Sequence, residues 1–260
     1  PDLLKSLSDI ENKIDEPISD PSIIPTYLVS QLAKKYVKVA LSGDGADELF
    51  SGYAPFKYIN IMKVLSCFPK RVGTLIYKIL SNLSYKDDYM NFLFLIKHIS
   101  KGIGFQTNQQ IFRWMSSFTK NDIDKIFFKN LKDLLLKNED IINFLGTKKV
   151  DDKVSAHDQI TQIFFENYLP NDILTKVDRA SMYNSLEVRA PFLEKKIIEF
   201  ASSIPNRLKV KNDTKSILRK ISKKKLPDNI VKRKKHGFAI PLSKMLRTSL
   251  KEKVFDTLTS

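Results

Sequence analysis

A chain of 260 residues with 42 % hydrophobic and 28 % charged residues is long enough for one sizeable core, or one core with a helical annex. No apolar run reaches the ~18 residues that span a bilayer, and Pro1 to Ser6 do not form a basic stretch leading into an apolar one, so neither a membrane span nor a secretory signal is expected. The single cysteine, Cys67, excludes an internal disulfide or a zinc cluster and suits a reducing cytoplasm; with only His98, His157 and His236 besides, a transition-metal site is not expected.

The chain opens on Pro1 and not on Met, which reads as a piece of a longer polypeptide. Residues 22–35 (SIIPTYLVSQLAKK) predict a helix, with Asp20 as its cap, Pro21 at its first position and Ile24, Leu28 and Leu32 on one face. Residues 36–41 (YVKVAL) predict a short buried strand, and helix, strand and glycine turn in that order belong to an α/β sheet. From 53 to about 150 the periodicity is helical. The apolar run Phe92–Ile96, the pair Phe112 and Trp114, and Phe127 with Phe128 are assigned to the core, and Cys67 to a small buried position. The segment 138–152 predicts a loop around Gly146. Helices resume over 156–184 with a break at Pro170, then 193–203 up to Pro205 and a short one at 214–224, followed by a basic loop at 232–238. Residues 1–55 thus carry the α/β sheet and 56–260 a mainly helical part.

The first constellation of chemical interest is Leu41 to Tyr53, LSGDGADELFSGY. In open α/β sheets ligands bind off the carboxyl ends of strands. Gly43 and Gly45 permit positive φ and close approach of a ligand to the backbone, and amides freed at such a turn face anions. Three carboxylates follow within five residues: Asp44, Asp47 and Glu48. Beside a polyphosphate they would repel it unless a cation intervened, and Mg²⁺ is usually held by one or two carboxylates plus phosphate oxygens and water. A magnesium–pyrophosphate grip is one reading. The other is a plain strand–turn–helix connection whose acids are favoured near a helix N-terminus.

The ordered set Ser42, Gly43, Gly45, Asp47, Glu48, Phe50, Gly52 and Tyr53 resembles a signature of the asparagine synthetase family. The lead-in Asp15-Glu16-Pro17 through Asp20-Pro21-Ser22 to Pro25-Thr26-Tyr27 resembles that family as well. So do Asp178, Arg179, Ser181 and Met182 followed by Ser185, Leu186, Glu187, Arg189, Pro191, Phe192 and Leu193, and the set Lys215, Ile217, Leu218 and Arg219 with Arg233, Lys235, Gly237, Phe238 and Pro241. Ion pairs pinning the segment to the sheet are the competing reading of Glu187 and Arg189.

The resemblance implies an ATP-pyrophosphatase fold (PP-loop, adenine nucleotide alpha hydrolase-like), α/β but predominantly helical, with a helical C-terminal region. It implies ATP and Mg²⁺. ATP adenylates the side-chain carboxylate of aspartate with loss of pyrophosphate, and ammonia released from glutamine by a separate glutaminase domain attacks β-aspartyl-AMP to give asparagine. It points to Asp44, Lys215 and Glu48 as catalytic, with Ser42, Gly43, Gly45, Asp47, Lys215 and Lys235 on the nucleotide. Asp47 is the metal ligand, and Asp178, Arg179, Glu187 and Arg189 face the substrate. Adenylation needs cations aimed at the leaving pyrophosphate, and a lysine serves there as a mobile point charge.

Three departures stand out. No glutaminase domain opening on Met-Cys is present, and neither is the family's first nucleotide signature, so this chain alone is expected neither to hold ATP tightly nor to make amide. Asp44 stands where many members carry Glu, one methylene longer, which leaves open whether it reaches its target directly or through water. Amidation of a sugar acid in surface-polysaccharide synthesis, β-lactam ring closure and tRNA binding remain alternatives. The last rests on the net charge of +15, but the basic run lacks the interleaved aromatics that stack on bases, so neither a nucleic acid nor a membrane is expected as partner. Lys220, Lys223, Lys224, Lys225 and Lys232 are assigned to a solvated face. A homodimer is compatible with all of these readings.

Overall fold

The structure, a computed structural model, describes residues 3–82, 92–116, 125–126, 154–211, 213–233, 237–238 and 240–259. Phe127, Phe128, the segment expected as a loop at 138–152 and Lys234–His236, with Lys235 among them, lie outside the described residues.

The chain begins with α1 (Leu3–Glu11) and α2 (Ile23–Lys34). Asp20 holds the start of α2, since its Oδ1 accepts from the Ser22 amide at 2.9 Å and its Oδ2 from the Ser22 hydroxyl at 2.7 Å. Pro21 therefore sits in the turn ahead of the helix and not at its first position. The buried face is Ile23, Ile24, Tyr27 and Ser30, whereas Leu32, assigned to the inner face from its spacing, is 57 % exposed. Ile23, Ile24 and Tyr27 pack with Ile10 of α1 and Ala180 into one apolar cluster.

The expected strand shortens to β1 (Val39–Leu41), which pairs in parallel with β2 (Glu187–Arg189) in the register Val39–Glu187, Ala40–Val188 and Leu41–Arg189. It is not buried: Val39 is 43 % and Leu41 75 % exposed. A strand reads as a continuous apolar run when both its faces are covered, and among the described residues β1 has one neighbouring strand and no helix over these two side chains. The division expected at residue 55 is also crossed by the sheet, because a parallel pair requires a long crossover and its second strand comes from the helical part.

A short helix α3 (Ala46–Leu49) follows the turn, then α4 (Ala54–Lys57), α5 (Ile59–Ser66), α6 (Lys70–Ser81), α7 (Phe92–Ser100) and α8 (Thr107–Met115). Phe112 and Trp114 pack on the cluster of Phe56, Met62, Ile111, Ile160, Ile163 and Phe164, as the periodicity predicts. The run at 92–96 does not fill the core: Phe92 is 74 % and Phe94 41 % exposed. Five consecutive apolar residues cannot all face one side of a 3.6-residue helix. Cys67 is exposed, not buried.

The expected break at Pro170 is absent. The chain runs on from α9 (Ala156–Ile163) through a π-helix (Phe164–Leu174) into α10 (Thr175–Met182), with Pro170 inside the π segment. Proline removes one backbone donor and crowds the preceding turn. The wider i→i+5 spacing accommodates it, and the Thr175 hydroxyl donates to the Pro170 carbonyl at 2.8 Å. After β2 come a 3₁₀ turn (Pro191–Leu193), α11 (Lys195–Ser203) capped by the Glu194 side chain, α12 (Asn206–Lys209), α13 (Ser216–Ser222), α14 (Asp228–Val231), α15 (Leu242–Arg247) and α16 (Lys251–Thr259). Leu49, Phe50 and Ala201 form a third cluster joining α3 to α11 and α13. Among the described residues no helix is long and apolar enough to cross a membrane.

Candidate active site

The turn between β1 and α3 is fixed at both ends. The Ser42 amide donates to the Arg189 carbonyl at 2.8 Å, extending the ladder by one residue. Gly45 turns the chain at φ +86°, and a Cβ there would lie 2.3 Å from Leu193 Cδ2. Of the two glycines that permit a positive φ, Gly45 adopts one and Gly43 does not. A Cβ on Gly43 would meet nothing within 4 Å, so its backbone faces open space.

α3 then presents two carboxylates in different surroundings. Asp47 Oδ1 lies 2.9 Å from Lys215 Nζ, joining residues 168 positions apart (215 − 47) into one half-buried ion pair. Gly52 is what allows it: a Cβ at that position would stand 1.7 Å from Asp47 Oδ1 and 2.4 Å from Lys215 Cε. Lys215 itself adopts the left-handed region (φ +55°), an uncommon conformation for a residue with a side chain, and one that concentrates at functional sites. Glu48 is only 2 % exposed and accepts a 2.5 Å hydrogen bond from the Tyr53 hydroxyl. Burial, with the Glu48 charge behind it, pushes the Tyr53 phenol far above its usual pKa, so it stays a donor. Ser42 Oγ is buried with no hydrogen-bond partner, and Asp44 makes no hydrogen bond or ion pair among the described residues.

The other sequence candidates divide. Arg189 and Glu187 pair with each other at 2.7 Å, both well exposed, on the strand that holds the Ser42 turn. Arg179 is engaged elsewhere, at 3.0 Å from Asp15 and 2.8 Å from Glu16, so it clamps the link between α1 and α2. Asp178, its neighbour on α10, is exposed.

Sequence reasoning missed a polar seam behind the turn. The Tyr53 ring stacks on Phe164 at 4.4 Å and meets Tyr168 edge-on at 5.8 Å. Asp172 stands close enough to Tyr168, Asp20 and Lys176 to feel all three, and Asp20 Oδ2 lies 2.6 Å from the buried Lys176 ammonium. Burial, and then the Asp20 charge, raise the Asp172 carboxyl above the usual range, with Lys176 acting against them. Asp20 is held below that range: burial raises it, but the hydrogen bonds from Lys176 and Ser22 outweigh burial. Nothing in the spacing of Asp20 and Lys176 announces their contact, and only the number of acids next to aromatics around 165–172 hinted at it.

A glycine turn off the carboxyl end of a parallel strand, followed by an acid paired with a distant lysine, is the layout of a PP-loop, adenine nucleotide alpha hydrolase-like protein. The chain belongs to the asparagine synthase family, which matches residues 1–260. It is 32 % identical over 246 residues to asparagine synthetase (glutamine-hydrolyzing) 1 of Bacillus subtilis (strain 168), covering 92 % of this chain and 36 % of that protein. It is 31 % identical over 189 residues to putative asparagine synthetase (glutamine-hydrolyzing) 2 of Methanocaldococcus jannaschii, covering 68 % of this chain and 32 % of that one. A putative asparagine synthetase (glutamine-hydrolyzing) of Mycobacterium tuberculosis (strain ATCC 25618 / H37Rv) is 28 % identical over 267 residues, covering 95 % and 36 %. The chain thus spans about a third of the length of these curated relatives.

Proposed function

We propose that this chain forms one wall of an ATP-dependent amide-forming site, in which the side-chain carboxylate of aspartate is adenylated with release of pyrophosphate and then attacked by ammonia. The observation that carries the reading is the Asp47–Lys215 pair set over Gly52, beyond the carboxyl end of β1. Phosphoanhydride cleavage develops negative charge on the leaving pyrophosphate, and a cation already aimed at that position lowers the barrier. Lys215 is that cation.

The residues present fit Mg²⁺ bound together with nucleotide. No group of three metal-binding side chains occurs among the described residues. A magnesium ion on a polyphosphate needs only one or two carboxylates, and Asp47 supplies one. The metal would neutralise phosphate charge. Ser42 Oγ, buried and without a partner, is a ready donor to a phosphate or ribose oxygen, and the open side of Gly43 leaves room for it. Asp44 is the candidate proton acceptor for the incoming ammonia, and buried Glu48 fixes the turn through Tyr53.

The test is ATP–pyrophosphate exchange in the full-length protein with aspartate and a panel of sugar acids. Lys215→Met should lower exchange by about 10²-fold or more, the loss typical of a removed transition-state donor. Asp44→Ala should leave exchange within a few-fold and slow amide formation. Exchange undiminished in Lys215→Met would remove that residue from the chemistry, and exchange with a sugar acid but not with aspartate would reassign the substrate.

A further inference from the structure

The end of α3 carries a backbone conformation that its residue does not favour. Ser51 is fully buried and stands at φ +58°, whereas Gly52 beside it is not among the residues of positive φ. The Gly52 amide donates to the Asp47 carbonyl at 2.7 Å. That bond is the long 6→1 closure of a Schellman motif, in which the left-handed position is usually a glycine. Here the glycine comes one position later, where Asp47 and Lys215 leave no room for a Cβ, and a serine takes the left-handed turn.

A residue with a side chain stays left-handed only where its surroundings hold it there. Ser51 is held from α9, by a buried hydrogen bond of 3.0 Å between its Oγ and His157 Nε2. His157 is itself fixed. It lies in the first turn of α9, where Ser155 Oγ caps the helix by accepting from the Asp158 amide at 3.2 Å. Its ring centroid lies 4.8 Å from that of Phe56, a member of the cluster that also contains Met62 and Ile160. The φ of Ser51 sets the direction in which the chain enters Gly52, and Gly52 lies against both members of the ion pair.

We propose that His157 is a positioning residue for the Asp47–Lys215 pair: its hydrogen bond to Ser51 holds the left-handed turn that seats Gly52 against the pair. This rests on the reading of Lys215 as the cation facing pyrophosphate. One consequence is specific. Glycine at position 51 adopts the turn without a hydrogen bond to hold it, so the requirement for His157 disappears with the Ser51 side chain.

ATP–pyrophosphate exchange in the full-length protein with aspartate tests the coupling. His157→Phe keeps a ring against Phe56 and removes the hydrogen bond. It should lower the rate at saturating ATP by about tenfold and leave KM for ATP within about twofold, because a displaced cation is felt in the transition state more than in binding. His157→Gln, whose amide can still bond Ser51, should retain most of the rate. In Ser51→Gly, adding His157→Phe should cost less than about twofold, since two residues that act through one contact are not additive. A purely structural role would lower the urea midpoint of His157→Phe and leave exchange per folded molecule unchanged. That outcome, or a loss in His157→Phe that persists in full beside Ser51→Gly, would overturn the proposal. Undiminished exchange in Lys215→Met would remove the reading of the ion pair, and the role of His157 with it. Loss in Lys215→Met with none in His157→Phe would remove the role of His157 alone. If His157→Phe does not fold, Ser51→Ala decides. It drops the hydroxyl and keeps a Cβ in the left-handed region, so its exchange should fall below that of Ser51→Gly by about tenfold, and equal rates would overturn the proposal.

Discussion

At the scale of single residues, the site depends on what Gly52 lacks. Its φ is not positive, so an added methyl is excluded by contact and not by backbone strain. Gly52→Ala would push a Cβ into Asp47 Oδ1 and Lys215 Cε and force the ion pair apart. The expected cost is about 1–3 kcal/mol of stability, as for other overpacked positions, with loss of pyrophosphate exchange; urea denaturation and the exchange assay together check it. His157 makes a second residue-scale prediction. It is 8 % exposed, its Nε2 lies 3.0 Å from Ser51 Oγ, and burial followed by the Lys209 charge depresses its pKa from 6.5 to about 4. The unfolded chain therefore binds the proton first. The contribution is fully present above pH 6.5 and is lost as pH falls toward 4, about 3 kcal/mol across that window. His157→Gln should flatten the pH dependence of the urea midpoint between pH 7 and 4.5, and an unchanged slope would place the titration elsewhere.

At the scale of elements, what the sequence made legible was local order. The glycine turn, α2, α11 and α13 follow from caps, prolines and periodicity acting over a few residues. Pro170 misled for a physical reason: proline forbids an ordinary helix interior, but a π-helix with Thr175 answering its carbonyl is not an ordinary interior. The strand was read as buried because composition reports apolarity and not coverage. Contacts between distant elements were not legible at all, and Asp20 with Lys176 is the clearest case. Sequence reading made Asp20 a helix cap; the N-cap is Ser22, which Asp20 braces from two residues ahead, and Asp20 also anchors α10 to the start of α2 through a largely buried pair. Lys176→Met would strand the Asp20 carboxylate beside Asp172, and removing one partner of a buried pair costs about 3–5 kcal/mol. Asp20→Asn combined with Lys176→Met should recover part of that loss. A double-mutant cycle by urea denaturation measures it, and strict additivity of the two changes would show that the pair does not couple the helices.

For the whole molecule, the net charge of +15 is the feature whose meaning composition could not decide. The structure sorts its cations by what they touch. Arg219 is absorbed internally, donating from Nε to the Thr214 carbonyl at 3.1 Å and from Nη1 to the Val231 carbonyl at 2.5 Å. Lys232 pairs with Asp228 at 2.7 Å one turn away. Lys215 faces Asp47. Lys223, Lys224 and Lys225 are exposed past the end of α13, eight or more positions beyond Lys215. Charges so placed act only through the long-range field, which falls off within about 10 Å at moderate salt. The triple change Lys223→Glu, Lys224→Glu, Lys225→Glu moves the net charge by −6 and should leave pyrophosphate exchange at 0.15 M salt within about twofold, whereas Lys215→Met, a change of −1, should lower it by about 10²-fold or more. The same triple variant also decides the nucleic-acid alternative. If the run were a binding face, affinity for tRNA would fall steeply with salt in the unaltered protein, and the triple variant would lose both the affinity and the slope. Equal, shallow salt slopes in the two proteins would assign the run to solvation and leave one functionally committed lysine, Lys215, in the segment 215–233.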